Sequence, residues 1–408
     1  MNNNDIFTHT LPNGLRMVHV ATRSRVGWCG LAINAGSRDD PKGKYGLAHF
    51  VEHTIFKGTT HRRACHIINR METVGGELNA YTTKEGTMLY SVFPGEHTER
   101  AIELIADLVA FSAFPESELM REMDVVLEEV DSYRDTPAEA VADDFEDIIF
   151  AGSALGHNIL GIEADLKTVT TTDCRNYLKT MYVPENMVFF SVGNQQPERV
   201  FALAQKHFGI LNHSLSRVPR QAPPTVEPQH KHIDLGLHQA HTIVGARTMD
   251  LHDDRRFAMA LLNNILAGPG MNSLLNVSLR EKRGWVYTVE SNLSTFTDCG
   301  MLQIYLGCDS SHVNKSVRII ENTITDLAEN PISHRKLDAW KRQYCGQLLV
   351  ASSTAEFVAM NAGKTMLYRN HVTTLNEVMQ RIEALTPSEL MEAAQIIAPH
   401  NCSTLTFS

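Results

Sequence analysis

The chain reads as an α+β protein built from two duplicated αβ-roll domains, each an antiparallel sheet packed with helices. Three observations predict this. Strand-like and helix-like segments alternate irregularly, without a regular βαβα beat or a glycine-rich nucleotide loop, which disfavours a doubly wound parallel sheet. A proline-dense stretch between Ser216 and His230 divides the chain into halves of ordinary domain size, and prolines at that density sustain neither a helix nor a central strand. The two halves also end alike. Val169-Thr170 opens a helix-like segment that stops at Pro184-Glu185-Asn186 and runs on into a strand-like 187–192. Leu385-Thr386 opens another, which stops at Pro399-His400-Asn401 and is followed by 403–407. Such repetition is the mark of an internal repeat. The expected organisation is residues 1–212, a linker over 213–231, and residues 232–408.

Segments 15–21, 26–35 and 88–93 are rich in alternating Val and Ile and read as strands. Segments 96–111 and 116–133 carry apolar residues at helical spacing. In the second, Leu119, Met123, Val126, Val130 and Tyr133 form the expected core stripe. With 43% apolar residues the chain has enough to fill sizeable cores, while a net charge of -10 argues against nucleic acid as a partner. The seven cysteines are scattered, odd in number and without Cys-x-x-Cys spacing, which reads as free thiols in a reducing compartment. The start, Met1 to Phe7, lacks the basic residues and apolar run of a signal peptide. No stretch approaches the roughly 20 apolar residues of a membrane span. The expectation is a cytoplasmic protein without membrane contact.

The chemistry concentrates in His49-Phe50-Val51-Glu52-His53. Positions four apart stand one above the other on a helix, so both imidazoles can grip one metal ion with Glu52 beside them. Leu47, Phe50, Val51 and Ile55 form an apolar stripe on another face. The order inverts the commoner His-Glu-x-x-His zinc signature. Neutral imidazoles bind zinc well, and a nearby carboxylate can take a proton from its water.

A catalytic zinc site usually takes a third protein ligand. Segment 116–133 offers Glu122 and Glu129, two helical turns apart and so on one face, with Glu128 about 100° away from Glu129. Glu129 as ligand with Glu122 behind it is a consistent pair, since carboxylates of this kind orient histidine ligands. Spacing alone does not choose between ligands and solvated glutamates.

Taken together, His49-Phe-Val-Glu52-His53, the distal Glu129 and Glu122 resemble the pitrilysin (inverzincin, M16) family of zinc metallopeptidases. Further matches follow in order: Leu11-Pro12-Asn13-Gly14-Leu15, Gly46-Leu47-Ala48-His49, and Gly75 to Thr82. In the second half, Leu279 to Gly284 with Tyr287 resembles the family's Arg/Tyr pair. The resemblance covers essentially the whole chain and implies a zinc-dependent endopeptidase acting on unfolded oligopeptides inside a closed chamber. It implies one Zn²⁺ per subunit on His49, His53 and Glu129, Glu52 as general base, and Glu122 as support. Arg280 and Tyr287 would bond the substrate carbonyl and the developing oxyanion. Asn79, Ala80, Tyr81 and Thr82 would be an edge strand that an extended peptide joins. Short members of the family pair, so a homodimer is the expected assembly; a heterodimer with a related subunit, as in processing peptidases, and a non-catalytic scaffold are the alternatives. Leu266 to Asn272 departs from the family's Gly-rich turn by carrying Ala267 and Pro269. The long glycine-rich loop of the processing-peptidase α-subunit is absent. His61, Cys65, His66 and Met71 lack metal spacing and read as packing or surface residues.

Overall fold

The computed structural model describes residues 5–212 and 219–408; residues 213–218 of the expected linker lie outside the described residues. The first sheet holds β1 (Ile6–Thr10), β2 (Arg16–Ala21), β3 (Val26–Ile33), β4 (Glu77–Thr82), β5 (Thr87–Pro94) and β6 (Met187–Gly193) in the order β1-β2-β6-β3-β5-β4. The second holds β7 (His230–Ile233), β8 (Ala240–Thr248), β9 (Val286–Thr295), β10 (Gly300–Cys308) and β11 (Ser403–Phe407) in the order β7-β11-β8-β10-β9. The expected antiparallel character holds with one exception in each sheet: β2 runs parallel to β6, and β7 parallel to β11. Both closing strands arrive after a long helical excursion, and only such a crossover delivers a parallel neighbour.

The helices are α1 (Leu47–Thr54), α2 (Ala64–Glu72), α3 (Thr98–Phe111), α4 (Glu116–Arg134), α5 (Pro137–Ile149), α6 (Glu163–Leu166), α7 (Thr171–Met181) and α8 (Pro197–Phe208). In the second half they are α9 (Arg256–Ala267), α10 (Val313–Glu329), α11 (His334–Ala351), α12 (Ala355–Arg369), α13 (Leu375–Ala384) and α14 (Pro387–Ile396). The duplication is visible in this order. The series β3, α1, β4, β5, α3, α4, α5, α7, β6 is repeated by β8, α9, β9, β10, α10, α11, α12, α14, β11. Even the helix starts match: Thr170 with Asp173 opens α7, and Thr386 with Glu389 opens α14, each by a reciprocal capping box.

Two compact units result, and sequence halves do not coincide with them. Unit 1 comprises Met1–Asp131, His157–Arg220 and Ala351–Leu375; unit 2 comprises Ser132–Gly156, Gln221–Val350 and Asn376–Ser408. A single cut within 213–231 therefore divides the chain differently, because α5 belongs to unit 2 and α12 to unit 1. Each sheet needs cover on both faces, and these helices supply it. In unit 1, Ala359, Ala362, Met366 and Leu367 of α12 pack against Val18, Val20, Ala32, Val188 and Phe190. In unit 2, Val141, Phe145, Ile148 and Ile149 of α5 pack against Ile243, Met301, Leu405 and Phe407. Glycine makes room at both contacts. A Cβ on Gly363 of α12 would come within 2.8 Å of the Phe190 ring, and one on Gly245 of β8 within 2.9 Å of Phe145. Each fully buried Phe stabilises by roughly 1.5–3 kcal/mol.

Opposite α12, the first sheet is covered by α1, α2, α3 and α8; in unit 2, α9, α10 and α14 supply the corresponding layer. The expected stripe on α4 is correct for Leu119, Val126 and Val130 and half-correct for Met123, but Tyr133 is 37% exposed. It lies past Asp131, where the chain leaves unit 1, so no core remains beneath it. The end of the linker is also structured: β7 begins at His230, and the Arg220 guanidinium bonds Asp39, Asn34 and the Glu85 carbonyl within unit 1. All seven cysteines are free. Among the described residues no helix is long and apolar enough to cross a membrane.

Candidate metal centre

The helix α1 is short because its surroundings, more than its propensity, hold it. Leu47, Phe50, Val51 and Ile55 are buried as the stripe predicts. The residue before the helix, Gly46, sits at φ 97° and offers no side chain to cap the free N–H groups. Asp40 does so instead: its carboxylate accepts from the Gly46 N–H at 2.7 Å and from the Ala48 N–H at 2.8 Å.

From this helix His49 and His53 turn toward Glu129 on α4. His49 Nε2 lies 3.9 Å and His53 Nε2 3.5 Å from Glu129 Oε2. One ligand atom from each of the three residues lies within 4.8 Å of the others, so a single ion between them would reach all three. Behind them, His53 Nδ1 meets Glu122 Oε1 at 3.1 Å, and Lys57 Nζ meets Glu122 Oε2 at 2.5 Å. Glu122 thus fixes the ring of His53 with Nε2 facing Glu129, and Lys57 holds the second oxygen of Glu122 in place. Burial, with His53 adjacent, pushes His49 down to about 3. Its imidazole is therefore neutral at physiological pH, the form that binds a metal. The Nδ1 of His49 is buried without a hydrogen-bond partner among the described residues.

Glu52 stands half-buried on the same helix. Burial raises its carboxyl above the usual range and Glu129 adds to the effect, while Thr82 and His53 oppose it. Thr82 belongs to β4, the outermost strand of its sheet, paired with β5 alone among the described strands. On this strand Asn79 is exposed and Ala80, Tyr81 and Thr82 are half-buried. Tyr81 is pinned by α12: its hydroxyl meets Met360 Sδ at 3.8 Å and the Lys364 ammonium stands 5.3 Å from its ring centroid.

Arg280 and Tyr287 belong to unit 2. Arg280 lies on a π-helical turn, Asn276–Glu281, with Asn276 and Leu279 buried and Arg280 itself exposed. Wide turns of this kind are rare and concentrate at functional sites. Tyr287, near the start of β9, is 72% exposed. Of the residues without metal spacing, Met71 is buried, Cys65 and His66 are exposed, and His61 bonds Asp107.

Sequence reasoning missed Asp40, Lys57 and His157. Lys57 had a signal, since it follows His53 by four residues. Asp40 had a weaker one, an acidic residue one loop upstream of a helix start. His157, whose Nε2 lies 3.6 Å from Asp40 Oδ2, had none.

Comparison with known proteins gives the family. Residues 16–163 match the insulinase group, peptidase family M16, and residues 168–344 match the family's second part, described as the peptidase M16 inactive domain. An uncharacterized zinc protease of Streptomyces coelicolor is 31% identical over 394 residues, covering 95% of this chain and 86% of its own. One from Bacillus subtilis is 30% identical and covers 92% of each chain. The chain belongs to peptidase family M16. Its fold is also that of solved structures. A peptidase M16 inactive domain from Pseudomonas fluorescens superposes with a TM-score of 0.92 at 19% identity, covering 100% of this chain and 98% of that one. A protease from Helicobacter pylori gives 0.90 at 22%, covering 99% of each.

Proposed function

We propose that the protein is a zinc-dependent endopeptidase that cleaves unfolded oligopeptides. The observation that carries this is the convergence of His49, His53 and Glu129 with Glu52 on the same helix. The donor set fits zinc: two imidazoles, one held neutral by burial, and one carboxylate, which leaves a fourth position for water or substrate. When bound there, zinc supplies a Lewis acid for a peptide carbonyl and makes water acidic enough to act near neutral pH.

The remaining steps belong to the protein. Glu52 takes a proton on its carboxylate and returns it to the leaving amine; its raised pKa brings it closer to that task. Glu122 holds the His53 ring in place through Nδ1. The free edge of β4, from Asn79 to Thr82, accepts an extended peptide through main-chain hydrogen bonds, a grip that largely ignores sequence. Arg280 donates to a substrate carbonyl and Tyr287 to the developing oxyanion. Because one chain carries both the zinc motif and the Arg/Tyr pair, a homodimer suffices as the working assembly.

The test is metal analysis beside a fluorogenic peptide assay. Glu52→Gln should keep zinc and lose turnover by about 10²–10⁴-fold, the usual share of a general base. Glu129→Gln should lose both. Full turnover in Glu52→Gln would remove the base from the mechanism, and wild-type protein that binds no zinc would overturn the reading. Sedimentation velocity at assay concentration tests the dimer.

A further inference from the structure

Helix α1 spans only Leu47–Thr54, yet it carries both imidazoles. A helix of two turns has little stability of its own, and any roll of its axis moves His49 and His53 together against Glu129 on α4. Something must fix its start. Gly46 cannot, lacking a side chain, so the two N–H groups at the start of the helix are served by the Asp40 carboxylate, one oxygen each.

Asp40 is itself braced. Its side chain has no exposed surface, and His157 Nε2 stands 3.6 Å from Oδ2. The same nitrogen donates to the Ser37 carbonyl at 2.6 Å, which tethers the loop carrying Asp40. The His157 ring stacks on Tyr45, next to Gly46, with centroids 4.2 Å apart. The His157 carbonyl accepts from buried Lys84 at 2.6 Å, tying the arrangement to the turn between β4 and β5. Four residues on, Gly161 closes the other side: a Cβ there would lie 2.2 Å from the Tyr45 carbonyl oxygen and 2.4 Å from the Gly46 Cα. The start of α1 is therefore clamped between Asp40 and the 157–161 segment.

We infer that Asp40, braced by His157, is a positioning residue of the metal centre: it sets the orientation of α1 and hence the spacing of the two imidazoles from Glu129. This rests on the zinc reading above. A cap that served only overall stability would weaken folding while leaving the folded centre unchanged; a positioning cap changes the centre itself.

The experiment measures Zn²⁺ affinity by competition with a chromophoric chelator and records the visible spectrum of the Co²⁺-loaded protein, which reports ligand geometry. Asp40→Ala removes both acceptors and is at risk of not folding. Asp40→Asn keeps one carbonyl acceptor and should fold. Thr98→Ala, which removes a hydrogen bond at the start of α3 in the same unit, is the control. Asp40→Asn should weaken Zn²⁺ binding by about tenfold or more, in the range known for residues that orient ligands, and alter the Co²⁺ bands. Thr98→Ala should change neither. Folded Asp40→Asn protein with wild-type affinity and spectrum would overturn this inference alone, whereas wild-type protein without Zn²⁺ affinity would overturn the zinc reading and this inference with it.

Discussion

Helices α1 and α4 of unit 1 have counterparts in unit 2, α9 and α11, which hold the same places in the order of elements. In unit 1 the facing side chains are imidazoles and carboxylates. In unit 2 they are amides: Asn264 of α9 donates to Gln347 of α11 at 2.7 Å, and Asn272 and Gln343 bond each other nearby. The amide pair is neutral and joined by a hydrogen bond of its own. The imidazole–carboxylate set leaves lone pairs converging on a common point, and one buried nitrogen, His49 Nδ1, unpaired among the described residues. One scaffold therefore brings two helices together twice, and only the side chains decide whether the meeting is a site or a seam. Function resides in those residues and not in the fold.

The largest effect expected of a test concerns which sheet each exchanged helix serves. Phe145→Ala and Phe190→Ala should each cost about 3–5 kcal/mol, as truncations of buried Phe do. Hydrogen exchange then separates the units. Phe145 lies in the first half of the sequence, yet its loss should expose amides of β8, β10 and β11, the sheet that α5 covers. Phe190→Ala should expose β2 and β3 and loosen α12 from the other half. Loss of protection following sequence halves would break the two-unit division.

That exchange was not legible in the sequence, and the reason is physical. An amphipathic helix announces which of its faces is apolar but not which sheet will cover it. The duplication was legible because its signals are local: Thr170 and Thr386 cap, Pro184 and Pro399 stop, and a strand follows each time. The metal pair was legible for the same reason, since His49 and His53 lie within one helix. Glu129 was only a candidate until the resemblance selected it, because nothing in a helix's own sequence states what faces it across the fold. Asp40 was missed, since its role depends on where the chain returns six residues later. Tyr133 was read as core because its spacing on α4 continues a stripe whose underlying unit has already ended.

Next in size is a substitution that imports the chemistry of unit 2 into unit 1. Glu122→Gln replaces a carboxylate by an amide behind His53. The bond to Nδ1 weakens and Lys57 is left without its charged partner. Zinc affinity should fall by about 10–100-fold, with the same peptide preference in whatever activity remains. Unchanged affinity would mean that the carboxylate and the amide are equivalent there, and the contrast between the units would lose its electrostatic content.

Acid should separate the units further. Asp107 of α3 is buried and accepts from Thr59, His61 and Arg62. Burial alone would raise its carboxyl, but these partners outweigh it and hold it below the ordinary range. A folded-state value below the unfolded one stabilises above roughly pH 4, and the benefit is lost as the pH falls through the folded value. In unit 2 the equivalent helix, α10, buries no carboxylate. The stability difference between wild type and Asp107→Asn should therefore be full near pH 5 and shrink as the pH falls below the ordinary carboxyl range, with α3 losing exchange protection before α10. A difference that does not change with pH down to acid unfolding would show that the carboxylate's charge is not what matters.

The smallest effect is the most direct test of seam against site. Removing either amide in a double-mutant cycle of Asn264→Ala and Gln347→Ala should give a coupling of about 1 kcal/mol, the net worth of a neutral hydrogen bond, and leave zinc content untouched. The reverse exchange is more informative. Asn264→His with Gln347→Glu would put an imidazole and a carboxylate in contact in unit 2, but two donors without a second histidine one turn away do not make a stable zinc site. Metal analysis should still find one zinc per chain. A second equivalent would mean that the scaffold's geometry, with almost any pair of donors, is enough to create a centre, and the spacing of His49 and His53 would no longer be what sets unit 1 apart.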